Sequence, residues 1–114
     1  MPPTVQDRLL DVLEAITDIE KLLAGYDLDA FKADKTLRAA TERYLEIICE
    51  AARNIPDDVR QDAPNIEWRK MIDFGNQLRH AYHLTKDDIV WVIVRNHLPP
   101  LKSFVDRRIA ESGD

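Results

Sequence analysis

Residues 89–94 read "IVWVIV", and the fold class turns on them. Five β-branched residues and a tryptophan in one run suit a buried strand. A strand must pair its backbone N–H and C=O groups with a second strand, and no second strand can be found in the 114 residues. A helix satisfies those groups within the segment itself. The apolar pattern also continues past the run, through Ile89, Val90, Val92, Ile93, Leu98, Leu101, Phe104 and Val105. Thr85, followed three residues later by Asp88, resembles a capping box with Asp in place of Glu and marks the start. Pro99 and Pro100 remove two backbone donors inside the pattern, which predicts a kink or local break. The run is therefore read as part of a helix.

Working back from it, a third helix is expected over Ile66–His83, with Trp68, Met71, Ile72, Phe74, Leu78 and Tyr82 as its apolar positions. Residues 55–65 form a polar connector with Pro56 and Pro64 and room for one short helical turn. A second helix is expected from Asp29 to near Asn54, about 25 residues and nearly 40 Å long. Its apolar face runs Phe31, Leu37, Ala40, Tyr44, Ile47, Ile48, Ala51, and Pro56 disfavours helix at Ile55. The first helix carries Val5, Leu9, Val12, Leu13, Ile16, Ile19, Leu22 and Leu23 at steps of three and four. Thr4 can cap its start, and Gly25 can end it in a left-handed position. The expectation is an all-α, up-and-down bundle of four to five helices in one domain, residues 1–114, with the last helix kinked at Pro99-Pro100.

Composition agrees with that class. Hydrophobic residues make up 45% of the chain and charged residues 32%, with only three glycines, so a core and a solvated surface are both available. No glycine-rich phosphate loop or dinucleotide fingerprint is present, and no cofactor is expected. The single cysteine, Cys49, lies in "YLEIICEAA" and reads as a small buried apolar residue. No apolar run approaches the length of a membrane span and no leader pattern opens the chain, so a soluble, cytoplasmic protein is expected. The net charge of −5 argues against non-specific nucleic-acid binding. The charge is uneven, however: seven Lys/Arg stand against twelve Asp/Glu in residues 1–57, and nine against nine in 58–114, where all three histidines lie. A local basic site in the second half remains open.

Chemistry concentrates in "GNQLRHAYH", residues 75–83. On a helix Asp73, Asn76, His80 and His83 share one stripe, Arg79 lies about 100° round from His80, and Tyr82 is three beyond Arg79. A solvated helix face is one reading. A metal site of Asp73, His80 and His83 is permitted by spacing, but only a distant His97 is left to complete it, so no metal is expected. Acid–base chemistry on a phosphodiester is the third, since histidine moves a proton near neutral pH and a nearby arginine steadies phosphate charge.

The stretch "IEWRKMIDFGNQLRHAYHLTKDDIVWVIVRNHLPPLKSFV" resembles the C-terminal half of the HepT-like family of HEPN domains. That family usually reads Pro-Trp-Arg, then Met, Arg-Asn, His-x-Tyr, "DIVW" and "LPPL" in this order. "ERYLEIICEAARNIP" resembles its second-helix motif, where glycine commonly stands at the position of Cys49.

The resemblance implies an all-helical homodimer whose motif helices share a cleft. It also implies a metal-independent endoribonuclease acting as the toxin of a toxin-antitoxin system. A minimal nucleotidyltransferase antitoxin would attach AMP to the motif tyrosine. Position by position, His80 matches the motif histidine, Tyr82 the AMPylated tyrosine, and Asn76 the residue after the motif arginine. Gly75 stands where that arginine is expected. Arg79 is the candidate substitute, although it leaves the helix in another direction. The expected catalytic set is His80 as acid–base, Asn76 as orienting group and Arg79 as charge stabiliser. The alternative is a degenerate HEPN domain that keeps dimerisation and serves as a binding or scaffold partner of the nucleotidyltransferase. Gly75 itself costs a helix interior about 1 kcal/mol relative to alanine, and Gly75→Arg is expected to raise activity if the missing cation is the only defect.

Overall fold

The structure, a computed structural model, describes residues 3–80 and 87–112, apart from the side chains of Arg79, His80 and Ser112. The described elements are α1 (Val5–Leu23), α2 (Leu28–Ala33), α3 (Lys35–Arg53), α4 (Asp57–Arg60), α5 (Trp68–His80), α6 (Asp87–Val92), a π-helical segment (Ile93–His97) and α7 (Leu98–Ser112). No strand occurs among the described residues. "IVWVIV" lies in α6 and the π-helical segment, so the all-α reading holds.

α1 begins and ends as its sequence requires. Thr4 caps it in a full capping box with Asp7, and Gly25, at φ 83°, takes the left-handed turn after its last residue. Leu9, Val12, Ala15, Ile16, Ile19 and Leu23 are its buried face.

The expected second helix is in fact two. α2 and α3 meet at Asp34, whose backbone is extended and whose carboxylate accepts the N–H of Leu37 at 3.0 Å. Asp27 caps α2 in the same way, accepting from Ala30 at 2.8 Å. An aspartate that bonds a backbone N–H three residues on offers the chain a competing local arrangement, and here that arrangement wins. The break turns Phe31 into the core, where it is fully buried and lies 5.3 Å from the ring of Trp91. α3 ends at Arg53, before Pro56 as expected.

α1, α3, α5 and the composite rod of α6, π-helical segment and α7 are the long walls of the bundle; α3 packs on α1 and α5, and α7 on α1. The predicted disruption at Pro99-Pro100 is a π-helical segment just before them, closed by the N–H of Leu98 bonding to the carbonyl of Ile93. Both prolines then occupy the first turn of α7, where missing N–H groups cost least. The core is mainly aliphatic with Phe31, Trp68, Phe74 and Phe104 among it, and its one buried polar residue among those described, Thr41, satisfies its hydroxyl on the carbonyl of Leu37 at 2.8 Å. None of the described helices is long and apolar enough to cross a membrane.

Candidate functional site

α5 carries the candidate strip, and its apolar positions fix how the strip faces. Trp68, Met71, Phe74 and Leu78 are buried and Ile72 is half-buried. The first turn is pinned by Trp68, whose indole N–H lies 3.1 Å from the carbonyls of both Arg60 and Ala63 and whose ring meets Phe104 edge-on at 5.7 Å. With that face locked inward, Arg69, Asp73, Asn76 and Gln77 are exposed. Asp73 and Asn76 thus form an outward stripe along α5 in the direction of His80, beyond which residues 81–86 are not described. The side chains of Arg79 and His80, and the whole of Tyr82 and His83, lie outside the described residues, as does the proposed cap Thr85.

Arg69 pairs with Asp73 at 3.7 Å, and Lys70 with Glu67 at 3.1 Å, all four being solvent-facing. Each such pair contributes about 0.3–0.5 kcal/mol and leaves the cation available to an incoming anion.

Gly75 does not lie on that stripe. It is buried against α3. A Cβ built there would stand under 3.0 Å from the Cβ of Cys49 and 3.3 Å from its Sγ. Position 75 therefore faces the helix–helix interface, and Gly75→Arg would have to displace Cys49 or α3 as well as supply a cation. The arginine stem would start inside an occupied contact. Cys49 is buried, as its sequence context suggested.

Two features went unread in the sequence. A cavity of about 330 Å³ opens between α5 and the π-helical segment, with an apolar floor of Met71, Phe74 and Ile93 and a rim of Glu67, Lys70, Asp73, Gln77 and His97. His97 lies 3.8 Å from Glu67, so the histidine set aside as distant stands beside the candidate strip. The Pro-Pro pair was the available signal. It predicts displaced backbone bonding, and π-turns often accompany functional sites. The second feature is Glu42, on α3 seven residues before Cys49. Burial, then the nearby carboxylate of Asp87, push its pKa up, against the opposing influence of Arg38. Arg38 itself reaches Asp87 at 3.4 Å and Lys32 reaches Asp88 at 2.8 Å, tying the start of α6 to α2 and α3.

The fold is an all-α bundle with a polar stripe along the outer face of α5, and comparison with known proteins gives the family. The family described as Ribonuclease HepT-like matches residues 12–108. The chain belongs to the ribonuclease HepT-like family. It is similar to a protein of Thermococcus cleftensis named "Probable ribonuclease HepT", with 38% identity over 97 residues that cover 85% of this chain and 88% of that one. It is also similar to "Putative RNase MJ1380" of Methanocaldococcus jannaschii, 36% identical over 98 residues, covering 86% of this chain and 90% of that one. No solved structure gives a match.

Proposed function

We propose that this chain is a metal-independent endoribonuclease of the toxin type, with His80 at its centre. The observation that supports this most is the ribonuclease family match across residues 12–108, which spans both the bundle and the strip. In the proposed reaction neutral His80 takes the proton of a ribose 2′-OH. The 2′-oxygen then attacks the adjacent phosphorus in line, the bond to the 5′-oxygen breaks, that oxygen takes a proton from water, and protonated His80 returns its proton to solvent. The products are a 2′,3′-cyclic phosphate and a 5′-hydroxyl end. Asn76 orients the phosphate and Arg79 offsets its developing charge. Single-stranded or looped RNA suits this chemistry, because its backbone can bend into line. Residues 1–114 act as one domain, two copies form the working dimer, and a minimal nucleotidyltransferase is the antitoxin that silences the protein by AMPylating Tyr82.

One observation favours a second reading. Gly75 stands where the motif arginine is expected, and a side chain there would collide with Cys49 unless α3 or Cys49 gave way. A dimer that no longer cuts RNA but still binds the nucleotidyltransferase is the alternative. The deciding experiment incubates mixed RNA with purified protein in a chelating buffer, beside His80→Ala. The proposal expects cyclic-phosphate ends from the wild type and at least a hundredfold less from the variant, within the usual ~10²–10⁴ range for a lost acid–base group. Equal cleavage by both would remove His80 from the site, and none by either would favour the binding role.

A further inference from the structure

We infer that Cys49 and Gly75 are one coupled determinant, in which Cys49 on α3 decides whether α5 can present a cation to the phosphate at position 75. The chain's glycines separate into two kinds. Gly25 has φ 83° and nothing within 4 Å of a built Cβ, so it is there for its backbone. Gly75 has no positive φ and is there for its size.

The obstruction is specific. The atom met under 3.0 Å is the Cβ of Cys49, which is fixed by the α3 backbone and cannot rotate aside. Relief requires either that α3 moves away from α5, opening the core around Ile48 and Ala52, or that the Cys49 side chain is removed. With glycine at 49, both the Cβ and the Sγ are gone, and the nearest remaining neighbour is the Cys49 Cα at 3.8 Å, an ordinary van der Waals distance. The contact therefore holds one side chain, from either helix. In this chain α3 supplies it. The two departures from the resembled pattern, cysteine at 49 and glycine at 75, are the two halves of one exchange.

The functional half of this inference rests on the ribonuclease reading. A side chain placed at 75 adjoins exposed Asn76. An arginine stem there can run out along the interface and bring its guanidinium to the same phosphate. Cys49 is then a positioning residue that acts by exclusion.

The test separates packing from function. Helix propensity alone predicts that Gly75→Ala stabilises α5; the coupled pair predicts the opposite. Thermal unfolding of wild type, G75A, C49G and C49G/G75A should show a lower Tm for G75A. The double variant should lie above the sum of the two single changes, because neighbours that share one space are non-additive. A higher Tm for G75A, or simple additivity, overturns the inference. The functional arm uses proteins that also carry His80→Ala, so binding is read without cleavage. C49G/G75R should hold a single-stranded RNA oligonucleotide roughly tenfold tighter than C49G, as expected for one added charge-assisted hydrogen bond to phosphate. Unchanged affinity, or an unfolded C49G/G75R beside a folded C49G/G75A, overturns that arm. Neither result depends on whether the wild type cuts RNA.

Discussion

Glu42 lies half-buried on α3 at the end of the bundle where α6 begins, and burial and Asp87 both disfavour its charge. Its folded pKa is raised, so the folded state binds this proton more tightly than the unfolded chain does. Stability linked to Glu42 is therefore full at low pH and falls as pH rises past the ordinary glutamate value of about 4.3. Glu42→Gln removes that dependence. The variant should lose less stability than wild type between about pH 4.3 and neutrality, read as Tm by circular dichroism at both ends. Parallel pH slopes for the two proteins would mean that Glu42 is well solvated. At the same scale, the roles proposed for His80, Asn76 and Tyr82 come only from the family pattern. Polarity and spacing alone left a solvated face in play. Gly75 was legible as a departure but not as a packing residue, because nothing local marks a glycine whose reason lies on another helix.

Elements were read well where caps and prolines speak plainly, as at Thr4, Gly25 and Pro56. The break at Asp34 was missed because apolar positions on both sides of it, Phe31 and Leu37, fit one continuous helical face. The overlooked signal was Asp27 and Asp34, seven apart, each able to hold the N–H three residues on. Asp34→Ala deletes the acceptor for Leu37 and should cost about 1 kcal/mol, the usual loss for an N-cap. Urea unfolding at fixed pH measures it. A variant as stable as wild type would mean that Phe31 and its packing on Trp91 set the break without the cap. The π-helical segment shows the reverse case: Pro99-Pro100 announced a disruption, but the sequence did not say that it would be absorbed one turn upstream.

For the whole molecule, the all-α class followed from a single argument about unpaired backbone in "IVWVIV", and the bundle bears it out. Long-range ties then fix the composite rod. Arg95 lies over the Trp91 ring at 4.4 Å and donates to the carbonyl of Tyr26 at 3.1 Å, while Lys102 meets Glu20 at 2.9 Å. The proposed interaction with a nucleotidyltransferase is tested at this scale. Incubation with a minimal nucleotidyltransferase and ATP should add the mass of one AMP per chain to the wild type and none to Tyr82→Phe, by intact-mass spectrometry. Undiminished labelling of Tyr82→Phe would move the modification to another residue.

The single side chain shared between α3 and α5 also imposes an order on any exchange between the two positions. From a pair with glycine on α3 and a larger residue on α5, cysteine cannot arrive first without collision, whereas glycine on α5 leaves only a small void. Cysteine on α3 then fills that void and is rewarded for its packing. The way back runs through the same glycine–glycine pair, because regaining a side chain at 75 requires giving up the cysteine beforehand. The contact behaves as a lock with a fixed order of opening: no single substitution exchanges the two side chains, and in either direction the occupied position must be emptied first.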